Sequence, residues 1–143
     1  MALMFPTRHP VRIVYKAGYK YQLHQDYSLF VPFTPDKAIV SRWICLREDG
    51  LIWIKKGYAW DGPSGPAIDS KNFMRGSLIH DALYQLMAEH GLDSGHRGAA
   101  DQFMRAICRE DGMSPLRAWW VYMGVKTWGG IFVASHNPVL YAP

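Results

Sequence analysis

An imidazole and several carboxylates, spaced so that folding could gather them, are the residues of this 143-residue chain best suited to chemistry. His80 and Asp81 are adjacent in a stretch that reads as a helix. Tyr84 follows one turn later, and Asp101 sits in a second helical stretch among Ala99, Ala100, Phe103 and Met104. Asp61 and Ser64 precede them in the segment Trp60–Pro66. One imidazole with two or three carboxylates suits a divalent cation (zinc, manganese or magnesium) that keeps a position open for water. Asp61, His80 and Asp101 are then the expected ligands, with Asp81 as a further ligand or as an orienting group. Without a metal, His80 suits a general base steered by a carboxylate, Ser64 a hydroxyl nucleophile, and Tyr84 a contact to the substrate or transition state.

The same residues also make sense as structure. Adjacent helical positions point about 100° apart, so His80 and Asp81 cannot grip one ion in the manner of a pair at i and i+4. His80 could bond a backbone carbonyl, Asp81 could accept amides of the preceding loop, and Asp101 could pair with Arg97 or Arg105 on the surface. Asp61-Gly62 could be no more than a turn. On residue types alone, a structural hydrogen-bond network is the commoner outcome. Either way, partners are required. The helix around His80 carries Ile79, Leu83 and Leu86 on one stripe and Phe73, Met74, Leu78 and Met87 around the rest, so it must be largely buried. A carboxylate buried without a partner costs several kcal/mol.

The elements that would position these groups follow from periodicity and punctuation. Val11–Lys16, Tyr19–His24, Leu29–Phe33, Ala38–Leu46 and Leu51–Ile54 read as strands, with turns at Ala17-Gly18 and Glu48-Asp49-Gly50. The Asp49-Gly50 pair suggests a type I′ hairpin. The segment 56–69, rich in glycine and proline, reads as a stiff loop unsuited to helix or central strand. Three helices follow. The first is capped by Asp69 or Ser70 and runs to about Glu89. The second is capped by Ser94 and runs from about His96 to Glu110. The third starts at Ser114-Pro115 and ends near Gly129-Gly130. Residues 131–143 read as an irregular tail. Strands first and helices afterwards argue for one α+β domain, 1–143. Residues 11–55 would form an antiparallel sheet of four or five strands, packed against three C-terminal helices within 70–130.

Composition narrows the function classes. The net charge of +4 is spread along the chain, with Lys55-Lys56 the nearest thing to a cluster, which argues against a nucleic-acid stripe. Cys45 and Cys108 lack metal-ligand spacing and read as buried thiols in a reducing compartment. No secretory signal is expected at the N-terminus, and Ala118–Ala134, interrupted by Lys126 and Gly129-Gly130, is too short and broken to span a membrane. Trp119, Trp120, Tyr122 and Trp128 give the third helix a large aromatic surface. That surface reads mostly as core, with a contact face for a partner protein as the alternative.

Three separated motifs carry a resemblance. They are Gly57-Tyr58-Ala59-Trp60-Asp61-Gly62-Pro63-Ser64-Gly65-Pro66, His80-Asp81-Ala82-Leu83-Tyr84 and Ala100-Asp101-Gln102-Phe103. In this order they resemble an uncharacterised domain-of-unknown-function family found mainly in tailed phages and prophages. That family has a Gly-aromatic-x-x-Asp-x-x-Ser-x-Pro loop, a His-Asp-x-Leu-Tyr helix and an Ala-Asp-x-x-Phe helix. Trp60 stands where the family usually has Thr, and Gly62-Pro63 where it has an apolar pair; Asp61 and Ser64 keep their spacing. The resemblance implies that Asp61, Ser64, His80, Asp81, Tyr84 and Asp101 form one constellation. It implies a phage protein of the host cytoplasm or the virion, either a hydrolase or a structural or assembly protein that meets other phage proteins through the third helix. It does not name a reaction. The His-Asp pair with a later Asp is also similar to the His-Asp metal phosphohydrolases. They require an earlier helical His, however, and His24 lies in an expected strand.

Overall fold

Short runs of Val, Ile and aromatic residues, broken by Asp, Gly and Ser, pair into antiparallel strands, as β-propensity and turn chemistry require. The structure, a computed structural model, describes the backbone of residues 15–16, 21–60 and 71–135 and the side chains of 21–60 and 71–127. Its strands are β1 (Tyr15–Lys16), β2 (Tyr21–Leu23), β3 (Tyr27–Phe30), β4 (Ile39–Val40), β5 (Ile44–Leu46), β6 (Leu51–Ile54) and β7 (Ala59–Trp60). They form two sheets, in the orders β1-β2-β7 and β3-β6-β5-β4, where one sheet of four or five strands was expected. Leu23 of β2 also holds the segment that leads from β6 into β7: Leu23 N–H bonds Tyr58 O and Gly57 N–H bonds Leu23 O, each at 2.8 Å. Asp26 Oδ1 accepts the Lys56 amide at 2.7 Å and holds the turn between β6 and β7.

The differences from the expected strands have local causes. Ala38–Leu46 splits into β4 and β5 because Ser41 folds the chain back: its Oγ accepts the Ile44 amide at 3.1 Å and its amide bonds Ile44 O at 2.9 Å. At Glu48-Asp49-Gly50 the turn closes from Gly50 N–H to Arg47 O at 3.0 Å, with Gly50 at φ 91° in fourth position. The loop is therefore longer than a two-residue Asp-Gly turn, with glycine at the bulge that follows it. Ala59–Trp60, read as loop, is a strand: Tyr21 faces Trp60 and Gln22 faces Ala59 across β2 and β7. Pairing at the sheet edge overrides the glycines and prolines that flank it.

Helix α1 (Lys71–Glu89) runs through the centre of the molecule. Its Leu78, Ile79, Leu83 and Leu86 join Leu23, Tyr27, Ile44, Leu46, Ile52 and Ile54 of the sheets in one core. Asp93, not Ser94, caps the next segment: its Oδ1 accepts the Gly95 amide at 3.0 Å, and a 3-10 turn over Ser94–His96 leads into α2 (Arg97–Glu110). Helix α3 (Pro115–Ser135) seats Ala118 and Val121 against Phe73, Met104, Cys108 and Met113. It continues past Gly129-Gly130, where an irregular tail was expected from 131 onward. Two glycines cost about 1 kcal/mol each relative to alanine, too little to stop an apolar helix already about four turns long and with no proline after Pro115.

Arg75 ties the layers together. Its Nε and Nη2 donate to Asp111 Oδ2 and Oδ1 at 3.0 and 2.9 Å, Nη1 donates to Tyr27 OH at 3.3 Å, and Glu110 lies 3.3 Å from Nη2. Cys45 and Cys108 are buried free thiols, as expected, and burial pushes the Cys108 thiol up to about 12. Among the described residues, no helix is long and apolar enough to cross a membrane. Asp61, Ser64 and the rest of the loop to Asp69, the caps Asp69 and Ser70, the Ala17-Gly18 turn and residues 136–143 lie outside the described residues.

A candidate His-Asp site between two helices

The site begins with a close helix crossing. Gly76 of α1 has no side chain, and a Cβ there would stand 2.7 Å from Cys108 Sγ and 3.3 Å from Met104 O of α2. That glycine lets the two backbones approach, and one turn further along α1 the approach brings His80 to Asp101. His80 Nε2 and Asp101 Oδ1 are 2.7 Å apart, the length of a charge-assisted bond. The Tyr84 hydroxyl donates to the same Oδ1. The His80 and Tyr84 rings, one turn apart on α1, lie 4.0 Å centroid to centroid, so the two donors converge side by side on one acceptor.

The buried carboxylate therefore has the partners that its burial demands. Asp101 is bonded to His80 and Tyr84, and is not a surface partner of Arg97 or Arg105. Its acceptor oxygen fixes the imidazole with Nε2 as the donor and turns Nδ1 away. Nδ1 faces Asp81, whose Oδ1 is 3.9 Å off, beyond a direct hydrogen bond. Exposure rises along this line: 2% for the Asp101 side chain, 9% for His80 and 37% for Asp81.

Burial pushes the His80 pKa down. The hydrogen bond to Asp101 and the negative charges of Asp101 and Asp81 outweigh burial and leave it above the ordinary histidine value. Tyr84 is pushed up by burial and by the Asp101 bond, so it stays a phenol and a donor.

Of the six residues expected in one constellation, four stand on α1 and α2. His80, Tyr84 and Asp101 are in direct contact, and Asp81 stands at the outer edge. Asp61 and Ser64 lie outside the described residues. The residue before them, Trp60, is pinned to α1: its Nε1 donates to Ser77 Oγ at 3.1 Å, one turn before His80 and Asp81. Tyr58 is anchored likewise, its hydroxyl donating to Gln85 Oε1 at 3.2 Å. Neither anchor was read from the sequence. The signal was present, since Ser77 and Gln85 are polar residues on a helix otherwise destined for the core.

Among the described residues, no group of three or more His, Cys, Asp and Glu side chains is arranged to hold a metal ion. His90 and His96 are partly covered: His96 stacks on Phe33 at 4.5 Å, and His90 Nε2 is 3.7 Å from Glu89.

No curated protein and no solved structure matches the chain. Residues 38–125, which span β4 to the middle of α3 and include the whole His80–Tyr84–Asp101 cluster, match the model of a protein family of unknown function, DUF1353, and the chain belongs to that family.

Proposed function

We infer that the protein is a hydrolase in which His80 activates water, held from behind by Asp101 and Tyr84 and presenting Nδ1 toward Asp81. The observation that carries this reading is the directed line of three side chains. A buried carboxylate grips one imidazole nitrogen while the other nitrogen points toward the more exposed carboxylate. A carboxylate in that place selects the tautomer and raises the basicity of the far nitrogen, whether that nitrogen takes a proton from water or binds a metal. Asp101 is then an orienting group, and the candidate ligands of a zinc, manganese or magnesium ion are His80 Nδ1, Asp81 and Asp61. Ser64 is the candidate nucleophile or substrate contact, and Tyr84 supports Asp101. The bond cleaved would lie in peptidoglycan or in a phosphoester. A role in a tailed phage or prophage, in the host cytoplasm or the virion, is supported by the motif resemblance alone.

The test is the metal content of untagged protein by elemental mass spectrometry. Stoichiometric metal is expected in the parent and none in His80→Ala. Asp101→Asn should keep the site with affinity lowered about 10–100-fold, the cost of losing an outer-sphere partner. Asp81→Asn, a change at a partly exposed side chain, should weaken metal binding without unfolding the protein. Absence of metal from the parent, even after zinc, manganese or magnesium is added, would refute the metal-dependent form.

A second reading is favoured by the near-complete burial of Asp101 and Tyr84. In it the cluster is a closed network that locks α1 to α2 in a phage structural or assembly protein. Its mark is a large loss of stability in Asp101→Asn with no metal dependence in the parent.

A further inference from the structure

Of the aromatic surface expected on α3, Trp119 and Trp120 are not core, and the Trp128 side chain lies outside the described residues. Ala118 and Val121 face inward, but Leu116 is 71% exposed, Trp119 45% and Trp120 65%. Leu116, Trp119 and Trp120 stand at i, i+3 and i+4, so they form one apolar edge on the outside of the helix. Exposing three such large side chains together costs apolar hydration that a soluble surface has no reason to bear.

The charges around this edge are all of one sign. Helix α3 carries Arg117 and Lys126 and not one Asp or Glu along Pro115–Ser135. Tyr122, one turn after Trp119, has Arg105 of α2 at 5.4 Å from its ring centre and Lys126 at 5.9 Å. Two cations thus share one aromatic ring beside the exposed tryptophans. Among the described residues, neither has a carboxylate partner. Glu110 and Asp111, the acids at the end of α2, are turned to Arg75 instead.

We propose that this outer face, with Leu116, Trp119 and Trp120 as its apolar edge and Arg105 and Lys126 as its cations, seats on the surface of a membrane rich in anionic lipid. Tryptophan and tyrosine favour the boundary between headgroup and acyl chain, and flanking cations are drawn to negative headgroups. A second copy of the chain would set these cations against themselves. A single-stranded nucleic acid would use the rings and cations but leave Leu116 in water. The charge pattern therefore selects the lipid surface. The helix would lie on that surface, not cross it.

The test is flotation of the full chain with vesicles of phosphatidylcholine alone and of phosphatidylcholine with phosphatidylglycerol. Binding is expected only to the phosphatidylglycerol vesicles, with a blue shift of tryptophan emission, and weaker at high salt. Lys126→Ala and Arg105→Ala should each lower the partition coefficient about fivefold, and the pair Trp119→Ser and Trp120→Ser should abolish binding. All these positions are at the surface, and circular dichroism of each variant confirms an unchanged fold. No flotation, or equal flotation on both vesicles, would overturn the proposal. So would a tryptophan-dependent self-association or binding to a single-stranded oligonucleotide without vesicle binding.

Discussion

Replacing Asp101 by Asn changes one buried charge and almost no volume. Asp101 Oδ1 accepts from both His80 Nε2 and the Tyr84 hydroxyl. A hydrogen bond to a charged group contributes about 1.5–3 kcal/mol and a neutral one about 1 kcal/mol, so neutralising the shared acceptor should cost about 1–4 kcal/mol. The pH dependence is the sharper readout. In the parent, the bond to Asp101 and the nearby charge of Asp81 hold the folded His80 pKa above its unfolded value of about 6.5. A raised pKa gives stability that is fully present below the unfolded value and is lost as pH rises through the folded one. Between the two values the parent should lose up to about 1.4 kcal/mol per pH unit, the slope of one proton. In Asp101→Asn the largest remaining influence on His80 is burial, which pushes its pKa down, so that loss should flatten or reverse. Urea unfolding of both proteins across the neutral range, in buffer with chelator, measures the two slopes. An unchanged slope in Asp101→Asn would show that Asp101 does not set the protonation of His80, and the orienting role would fall with it.

Two other substitutions test the frame around the site. Tyr84→Phe removes one donor but leaves the His80 bond to Asp101, so it should cost about 1–2 kcal/mol in urea unfolding and leave the His80 proton resonance titration nearly in place. Gly76→Ala puts a methyl 2.7 Å from Cys108 Sγ and should cost about 1–3 kcal/mol by overpacking. Adding Cys108→Ala to it should recover part of that loss, and a double-mutant cycle with zero coupling would refute the contact.

Much of this architecture is legible in residue order. The α+β class, the position of α1 and the burial of His80 follow from period and punctuation, because a helix apolar nearly all round has to be interior. Burial of that helix in turn obliges its polar residues to find partners from other segments, with Asp101 one candidate among several. Local geometry did not follow so directly. Ser41 divided one expected strand, Asp93 took the cap from Ser94, and Ala59–Trp60 became a strand through pairing with β2. Each of these depends on a partner elsewhere in the chain or on a choice between nearly equivalent side chains.

The contacts inside the cluster are the clearest case of what tertiary structure alone decided. Residue types made Asp101 a candidate metal ligand, a partner for Arg97 or Arg105, or an orienting group, and nothing in the spacing chose among them. The close crossing at Gly76 sets the depth and rotation of α2 against α1. That crossing puts Asp101 on Nε2 and leaves Nδ1 toward Asp81. The third helix shows the same limit. Its hydrophobicity was plain in the sequence, but only its packing could show which side is covered. Ala118 and Val121 meet α1 and α2, and Trp119 and Trp120 do not, because a helix apolar on every side carries no pattern that marks its inner face.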